Sequence, residues 1–427
     1  MSHPKNVVLV WLRHTLRLHD NPMLAAAQRD GKTPICVTTL TPREQREDRW
    51  GHTPMGPYRK QFLRQSIDAL RTSLHALGGC LLYVEGDPLS ELQRLAKQFQ
   101  TTTIYADREY AVFESRTEDA LDAAFEVHWF HSQLLTHPDD TVFTVSNTPH
   151  VFSKFRRPIE KYTTIRPEAA EIRTIQSAPE WFSLPEATAV PFGPDIDIDP
   201  RSAHPFAGGE AAGLDRLHAY LWETKGVRRY KATRNGLIGT EYSTKFSAYL
   251  ALGCLSPKRI YNEIKRFEAE VTANQSTYWV IFEVLWREFF RYTALKEGAS
   301  LFCPGGIQGV HTSTWLDHKF EAWKNGQTGQ PFVDANMNEL RMTGFMSNRG
   351  RQNTASYLVH DLKQDWRAGA SWFEHCLVDY DPCSNYGNWN YVAGIGNDPK
   401  SGRRFDPVWQ SERYDAKGAY QDLWQSG

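Results

Sequence analysis

The chain has 427 residues, 41% of them hydrophobic and 23% charged, with a formal net charge of −1. It is too long for one ordinary core, so two domains are expected, and the near-neutral balance gives no global pull toward nucleic acid or acidic lipid. The apolar run 7–12 is too short for a signal core or a membrane span, and six scattered cysteines with no CxxC pair indicate neither a zinc site nor a disulfide framework but a reducing compartment.

In the first 130 residues, strand-like runs at 6–12, 34–40, 80–85, 102–106 and 126–130 alternate with helical patterns at 22–29, 57–77, 88–99 and 114–124. This alternation predicts an α/β domain, a doubly wound parallel sheet of five strands, over 1–131. WLRHTLRLHDN follows the first strand where a dinucleotide site would have GxGxxG, so a nicotinamide cofactor is not expected there. Ten prolines between Pro138 and Pro205 break every period, which predicts a connector over 132–204 draped on the surface. Beyond it an all-α domain is expected over 205–427, with helices at 213–224, 245–252, 257–267, 278–296, 320–325, 334–343, 349–366 and 371–378.

This half holds 10 of the 14 tryptophans, and after position 200 there are 27 Lys+Arg against 24 Asp+Glu. TYWVIFEVLWREFFRY (277–292) is apolar on nearly every side yet contains Glu283, Arg287 and Glu288. On a helix Glu283, Trp286, Arg287 and Phe290 share a face. Two readings stay open: a stacking platform beside an acceptor, suited to an extruded base, or an intrahelical ion pair over a core indole. In FMSNRGRQN (345–353), Asn348, Arg351 and Gln352 flank a helix start, where free amides favour anions. EYSTKFSAYLALG (241–253) opens a helix with hydroxyls and a lysine that could cradle a pyrophosphate, or simply cap it. AGGEAAG (207–213) is read as a hinge rather than a phosphate loop. DYDPCSNYGNWNYVAGIGND (379–398) gathers acids, asparagines and aromatics with no clear helical or strand period.

The order of these motifs, together with YKATRNG (230–236) and TGQPFVDANMNELRMTGFMSNRGRQNTAS (328–356), resembles the photolyase/cryptochrome family along essentially the whole chain, and the DASH cryptochromes in particular. The resemblance implies a U-shaped FAD in the helical domain. Tyr230 and the run Ser243, Thr244, Lys245, Phe246, Ser247 match its phosphate contacts. Arg287, Asn348, Arg351, Asp379 and Asp381 match further cofactor contacts, with Arg351 and Asp379 as a salt bridge beside the isoalloxazine. Asn385 matches the residue facing flavin N5 and is assigned, with Glu283, to the chemistry. Trp389, Trp366 and Trp315 match an electron relay to the surface; the stretch 309–323 varies in length in the family and leaves Trp323 as an alternative to Trp315.

Glu283, Trp286, Asn348, Arg349, Gln352 and Tyr391 match a substrate pocket, with Arg234 as a phosphate contact at its rim. Gln352 stands where duplex-repairing photolyases have methionine, and Tyr391 where they have a second tryptophan. Both changes remove apolar stacking surface. Stacking contributes about 1–3 kcal/mol per base, while extruding a base costs a few kcal/mol, so action on single-stranded or looped-out DNA is expected.

The function implied is light-driven repair of cyclobutane pyrimidine dimers, against the alternative of a blue-light receptor that binds nucleic acid without repair. Signalling cryptochromes carry a long C-terminal extension, and the chain ends soon after PVWQSERYD (407–415), which favours repair. A dark flavin oxidoreductase is disfavoured by the missing fingerprint. An antenna, 5,10-methenyltetrahydrofolate, is expected at the domain interface, with Glu109 of YADREY either its contact or a solvated loop acid. DNA with pyrimidine dimers is the expected partner, RNA being left open. No membrane partner and no metal are expected. A monomer is expected, placed in the cytoplasm of a bacterium or in an organelle or nucleus of a eukaryote.

Overall fold

The computed structural model describes residues 6–175, 190, 192–310, 312–397 and 403–425. Five strands, β1 (Val7–Trp11), β2 (Thr33–Leu40), β3 (Leu81–Glu85), β4 (Thr103–Asp107) and β5 (Glu126–Phe130), form one sheet in the order β3-β2-β1-β4-β5. Every pairing is parallel. Central β1 and β4 are buried along their whole length, whereas edge strand β5 is partly exposed. The flanking helices α1 (Pro22–Arg29), α2 (Pro57–Ala76), α3 (Pro88–Phe99) and α4 (Val112–Ala124) follow the expected positions closely. Three of these open on proline, whose missing N–H costs nothing at a helix start.

The connector is more than a surface drape. Helix α5 (Phe152–Tyr162) lies within it despite an internal Pro158 and buries Phe152, Phe155 and Ile159. The spacing i, i+3, i+7 makes one apolar stripe, which the density of surrounding prolines masks in the sequence. The segment 176–189 and Pro191 lie outside the described residues.

The helical half is built around α6 (Gln275–Glu297), α7 (Pro331–Thr343), α8 (Asn348–Ser356), α9 (Trp366–Cys376) and α10 (Pro382–Ala393), with α11 (Pro407–Tyr414) and α12 (Ala419–Gln425) at the end. Two sequence expectations fail here, one for a backbone reason and one for a side-chain reason. The helix predicted over 349–366 ends at Ser356, passes through a π-helical stretch at Tyr357–Asp361, and stops before Lys363, which has φ +58°. Asp365 then caps a new helix by accepting from the Arg367 amide at 2.9 Å. The aperiodic stretch at 379–398 is largely α10, with Asp381 as its cap and Pro382 in first position. Its period is hidden because polar Asn390 turns inward with the apolar residues, donating to Leu301 O and Tyr386 O at 2.9 and 2.8 Å.

The segment after β1 joins the halves. Arg17, fully buried, donates to Gly253 O, Ser132 O and Asp20 O at 2.9–3.1 Å, and the Leu18 and His19 amides donate to the Glu210 carboxylate. Gly253 takes φ +67°, and a Cβ there would lie 2.0 Å from His14 O. Only glycine permits that approach.

Candidate functional site

A cavity of about 420 Å³ opens in the helical half between α6, α8, α10 and the segment before Ser247. Its wall brings together Tyr230, Arg234, Ser243, Thr244, Lys245, Phe246, Ser247, Glu283, Trp286, Arg287, Asn348, Arg351, Gln352, Asp379, Asp381 and Tyr391, residues far apart in sequence. The volume falls within the ordinary range for small-molecule sites.

Several polar groups on this wall are buried without a hydrogen-bond partner: Lys245 Nζ, Asp379 Oδ1 and Gln352 Oε1. Lys245 is 2% exposed and has φ +61°, a backbone region that residues with a Cβ seldom occupy and that recurs at functional sites. This turn is why the predicted helix over 245–252 begins only at Ser247. The Lys245 ammonium lies 3.3 Å from the Tyr242 ring centre, and burial holds its pKa well below the usual lysine range. An anion would give it the partner it lacks.

Two carboxylates stand nearby. Asp379 accepts from Arg351 Nη2 at 2.8 Å, and the Arg351 Nε–H donates to Met346 O. Asp381 pairs with Arg291 at 2.6 Å. Burial works to raise the Asp381 carboxyl, but Arg291 and Arg287 hold it well below the usual carboxylate range. Arg291 went unnoticed in the sequence, although Glu283, Arg287 and Arg291 form an i, i+4, i+8 row on α6 that marks it.

The intrahelical Glu283–Arg287 pair is absent. Glu283 pairs instead with Arg234 across the mouth of the cavity, while Arg287 donates to Gln133 O and Leu250 O at 2.7 and 3.0 Å, its pKa lowered by burial to about 9. Glu288 faces away and accepts from the Thr136 amide at 2.8 Å, fastening the connector. Trp286 stacks on Phe152 of α5 at 3.8 Å and 16°, so the connector helix backs the platform. Tyr391 meets Trp286 edge-on at 6.3 Å.

Arg349 is not on the cavity wall: its Nη2 donates to Asn235 Oδ1 at 3.0 Å, and its guanidinium lies over Tyr414. Asn385 also lies off the wall, with Nδ2 donating to Ala370 O at 3.0 Å. Of the three indoles expected to form a relay, two are buried and Trp315 alone is exposed. Trp389 is 2% exposed and rests on Gly369, where a Cβ would lie 2.4 Å from its ring. Trp366 is 1% exposed and meets Tyr386 at 6.1 Å, and Trp315 is 67% exposed, with its carbonyl accepting from the Asp365 amide. Trp323 is fully buried against Trp389 at 6.4 Å, donating to Thr354 O.

A second cavity, about 150 Å³, lies where the strand order reverses at the C-terminal ends of β1, β2 and β4, and is closed by Tyr380, Asp381 and Arg291. That crevice is the usual ligand position of a doubly wound sheet. Glu109 lines it and is buried, not a solvated loop acid: it meets His14 Nδ1 at 2.8 Å and accepts from Gln133 Nε2 at 3.1 Å. Burial works to raise its carboxyl, but His14 and Arg13 bring it down to about 2.

Behind Lys245, Glu339 of α7 accepts from Tyr420 Oη at 2.6 Å, and burial pushes its carboxyl up to about 7 from 4.5. The folded chain therefore keeps a proton that the unfolded chain releases. This contribution is complete below about pH 4.5 and is lost as pH rises through about 7. Glu339→Gln keeps an acceptor and removes the titration. Urea unfolding at successive pH values is expected to show the variant gaining on the parent across that window, by up to about 1.4 kcal/mol per pH unit.

Among the described residues no helix is long and apolar enough to cross a membrane, and no group of three His, Cys, Asp or Glu is placed to hold a metal ion. A family model described as the FAD binding domain of DNA photolyase matches residues 279–426, and one described as DNA photolyase matches 8–174. A Cryptochrome DASH from Synechocystis sp. is 46% identical over 99% of this chain and 88% of its own length. The crystal structure of Synechocystis sp. cryptochrome superposes with TM-score 0.95 at 46% identity, covering 99% of this chain and 89% of that one. That of a class III photolyase from Agrobacterium tumefaciens superposes with TM-score 0.85 at 29% identity, covering 99% and 87%.

Proposed function

This chain belongs to the photolyase/cryptochrome family, among its DASH cryptochromes, and we propose that it uses light to reverse cyclobutane pyrimidine dimers, preferentially in single-stranded or looped-out DNA. The observation that carries the reading is one cavity with two unlike ends. A buried cation and carboxylates lie deep, and a carboxylate, an indole, an amide and a phenol lie toward the mouth.

The deep end fits FAD. Lys245 and the Ser243–Ser247 hydroxyls offer a diphosphate its counter-charge and donors, and the unpartnered Asp379 Oδ1 offers a ring or ribityl donor its acceptor. Arg351 fixes Asp379, and Arg291 fixes Asp381, so both acceptors keep their charge and position. Held by these residues in its reduced form, FAD would supply the light-excitable electron donor that reopening a cyclobutane ring requires. Asn385, on α10 between Asp381 and Trp389, lies off the cavity wall with its Nδ2 donating to Ala370 O, so it would contact the ring only if that side chain turned.

At the mouth, Glu283 offers an acceptor to the base edge of a dimer once Arg234 swings away toward a phosphate. Trp286, backed by Phe152, presents a rigid face for stacking. Gln352 and Tyr391 supply polar edges in place of apolar area, which weakens capture from a duplex more than from a single strand. The second cavity is the candidate site for a 5,10-methenyltetrahydrofolate antenna, with Glu109 on its wall.

The relay reading assigns Trp315, Trp366 and Trp389 to bring electrons inward from solvent. Trp366→Phe keeps an aromatic filler but not an oxidisable indole. The variant is expected to retain bound flavin in the dark and to lose its photoreduction by an external donor. Unchanged photoreduction would remove Trp366 from the path.

Dimers are counted after near-UV illumination of the fully reduced protein with a dimer-bearing oligonucleotide, single-stranded or annealed. Loss of dimers from the single strand well ahead of the duplex is expected. Equal dimer content before and after light in both would remove the repair reading.

A further inference from the structure

Helix α11 carries an indole that the core does not use. Trp409 is 50% exposed, while Trp424 of the neighbouring α12 is 1% exposed. Trp409 and Arg413 stand one turn apart, and the Arg413 guanidinium carbon lies 5.1 Å from the Trp409 ring centre and 5.7 Å from that of Tyr414. Arg349 also lies over Tyr414, at 4.8 Å. From there Arg349 reaches Asn235, whose neighbour Arg234 is at the cavity mouth. Ring and cation thus alternate from the mouth outward to an exposed indole. The nearby acids are Glu412, exposed beside Arg413, and Asp406, which accepts from the amides of Val408 and Trp409 at 2.9 and 3.1 Å; neither forms an ion pair with Arg413 or Arg349 among the described residues.

We propose that this row is a strand-binding surface, in which Trp409 stacks on a base flanking the lesion while Arg413 and Arg349 neutralise phosphates of the same single strand. The inference rests on the nucleic-acid part of the proposed function and adds residues outside the cavity. Aromatic platforms interleaved with cations are what a sequence-tolerant single-strand surface requires, since every base has a π-face and every linkage a charge. A duplex hides those faces in its stack, so the surface selects single strands independently of the pocket. The polyanion is also the partner that a row of guanidinium groups complements.

The test is dark binding of labelled, undamaged single strands of about 4 and about 16 nucleotides, the span of ordinary single-strand sites, followed by anisotropy. Trp409→Ala is expected to weaken the longer strand about tenfold and the shorter one much less. Trp409→Phe, which restores a ring, should recover most of the loss. Arg413→Gln should lower the slope of log affinity against log salt by about one. The proposal is overturned if Trp409→Ala binds the longer strand as tightly as the parent, as it would were the indole reserved for a protein partner. It is equally overturned if the loss is not recovered by Trp409→Phe. Light-driven repair is scored separately. Binding that depends on Trp409 without repair would sink the photochemical reading alone, and repair without that dependence would sink this one alone.

Discussion

Asp381→Asn is expected to lower the unfolding free energy by about 3–5 kcal/mol and to yield protein that has lost most of its flavin. The substitution keeps the volume and a side chain able to cap α10, because asparagine caps as well as aspartate. What it removes is the charge. Arg291 is 2% exposed, its Nε and Nη1 have no partner, and Nη2 depends on Asp381 at 2.6 Å and Gln133 Oε1 at 3.0 Å. With Arg287 one turn away, the variant leaves two buried guanidinium groups with no ion pair among the described residues, offset only by the weaker fields of Glu288 and Glu109. Breaking a buried pair from one side costs more than the pair contributes, since the remaining charge stays desolvated. The sign with pH follows from the depressed carboxyl: the parent's advantage is full above the ordinary carboxylate range and fades only in strong acid. Urea midpoints with an unchanged m-value, read beside flavin absorbance of the purified variant, check both parts. A midpoint within the scatter of the parent would show that Arg291 finds another counter-charge.

Glu283→Gln is expected to do the opposite: little to stability, much to the substrate. The Arg234–Glu283 pair is partly exposed, with side chains 21% and 31% accessible, and such pairs contribute about 0–1 kcal/mol. Once freed, Arg234 can reach water. A dimer seated at the mouth, by contrast, loses a hydrogen bond to a charged acceptor, worth about 1.5–3 kcal/mol. Dark affinity for a dimer-bearing single strand should therefore fall roughly 10- to 150-fold, with the melting profile and flavin content retained. A variant that binds the dimer as tightly as the parent would show that Glu283 serves only Arg234.

Strand-forming stretches of the first domain were legible because short apolar runs of strand length alternate with helical patterns, and most of them coincide with buried parallel strands. The match at 126–130 is complete although that edge strand is partly exposed. Most of the cavity wall was legible too, but through motif order rather than through periodicity. What escaped has specific causes. Helix α10 was hidden by inward-facing Asn390, and α5 by the prolines around it. Arg349 and Asn385 were assigned from motif position alone, which cannot show that Asn235 and Ala370 already engage their side chains. The partner of Glu283 is 49 residues upstream, at Arg234, and no local spacing rule reaches it. The place of Lys245 on the cavity wall was foreseen, but not the left-handed backbone that carries it there.

Repair requires that excitation energy at the deep end of the cavity be spent on a dimer at its mouth. The excited-state lifetime of reduced flavin in the holoprotein, taken with and without a saturating dimer-bearing single strand, reads this directly. A shortened lifetime with the damaged strand, and an unaltered one with the same strand undamaged, is predicted. Identical lifetimes with both strands, under conditions where the damaged one is demonstrably bound, would contradict it.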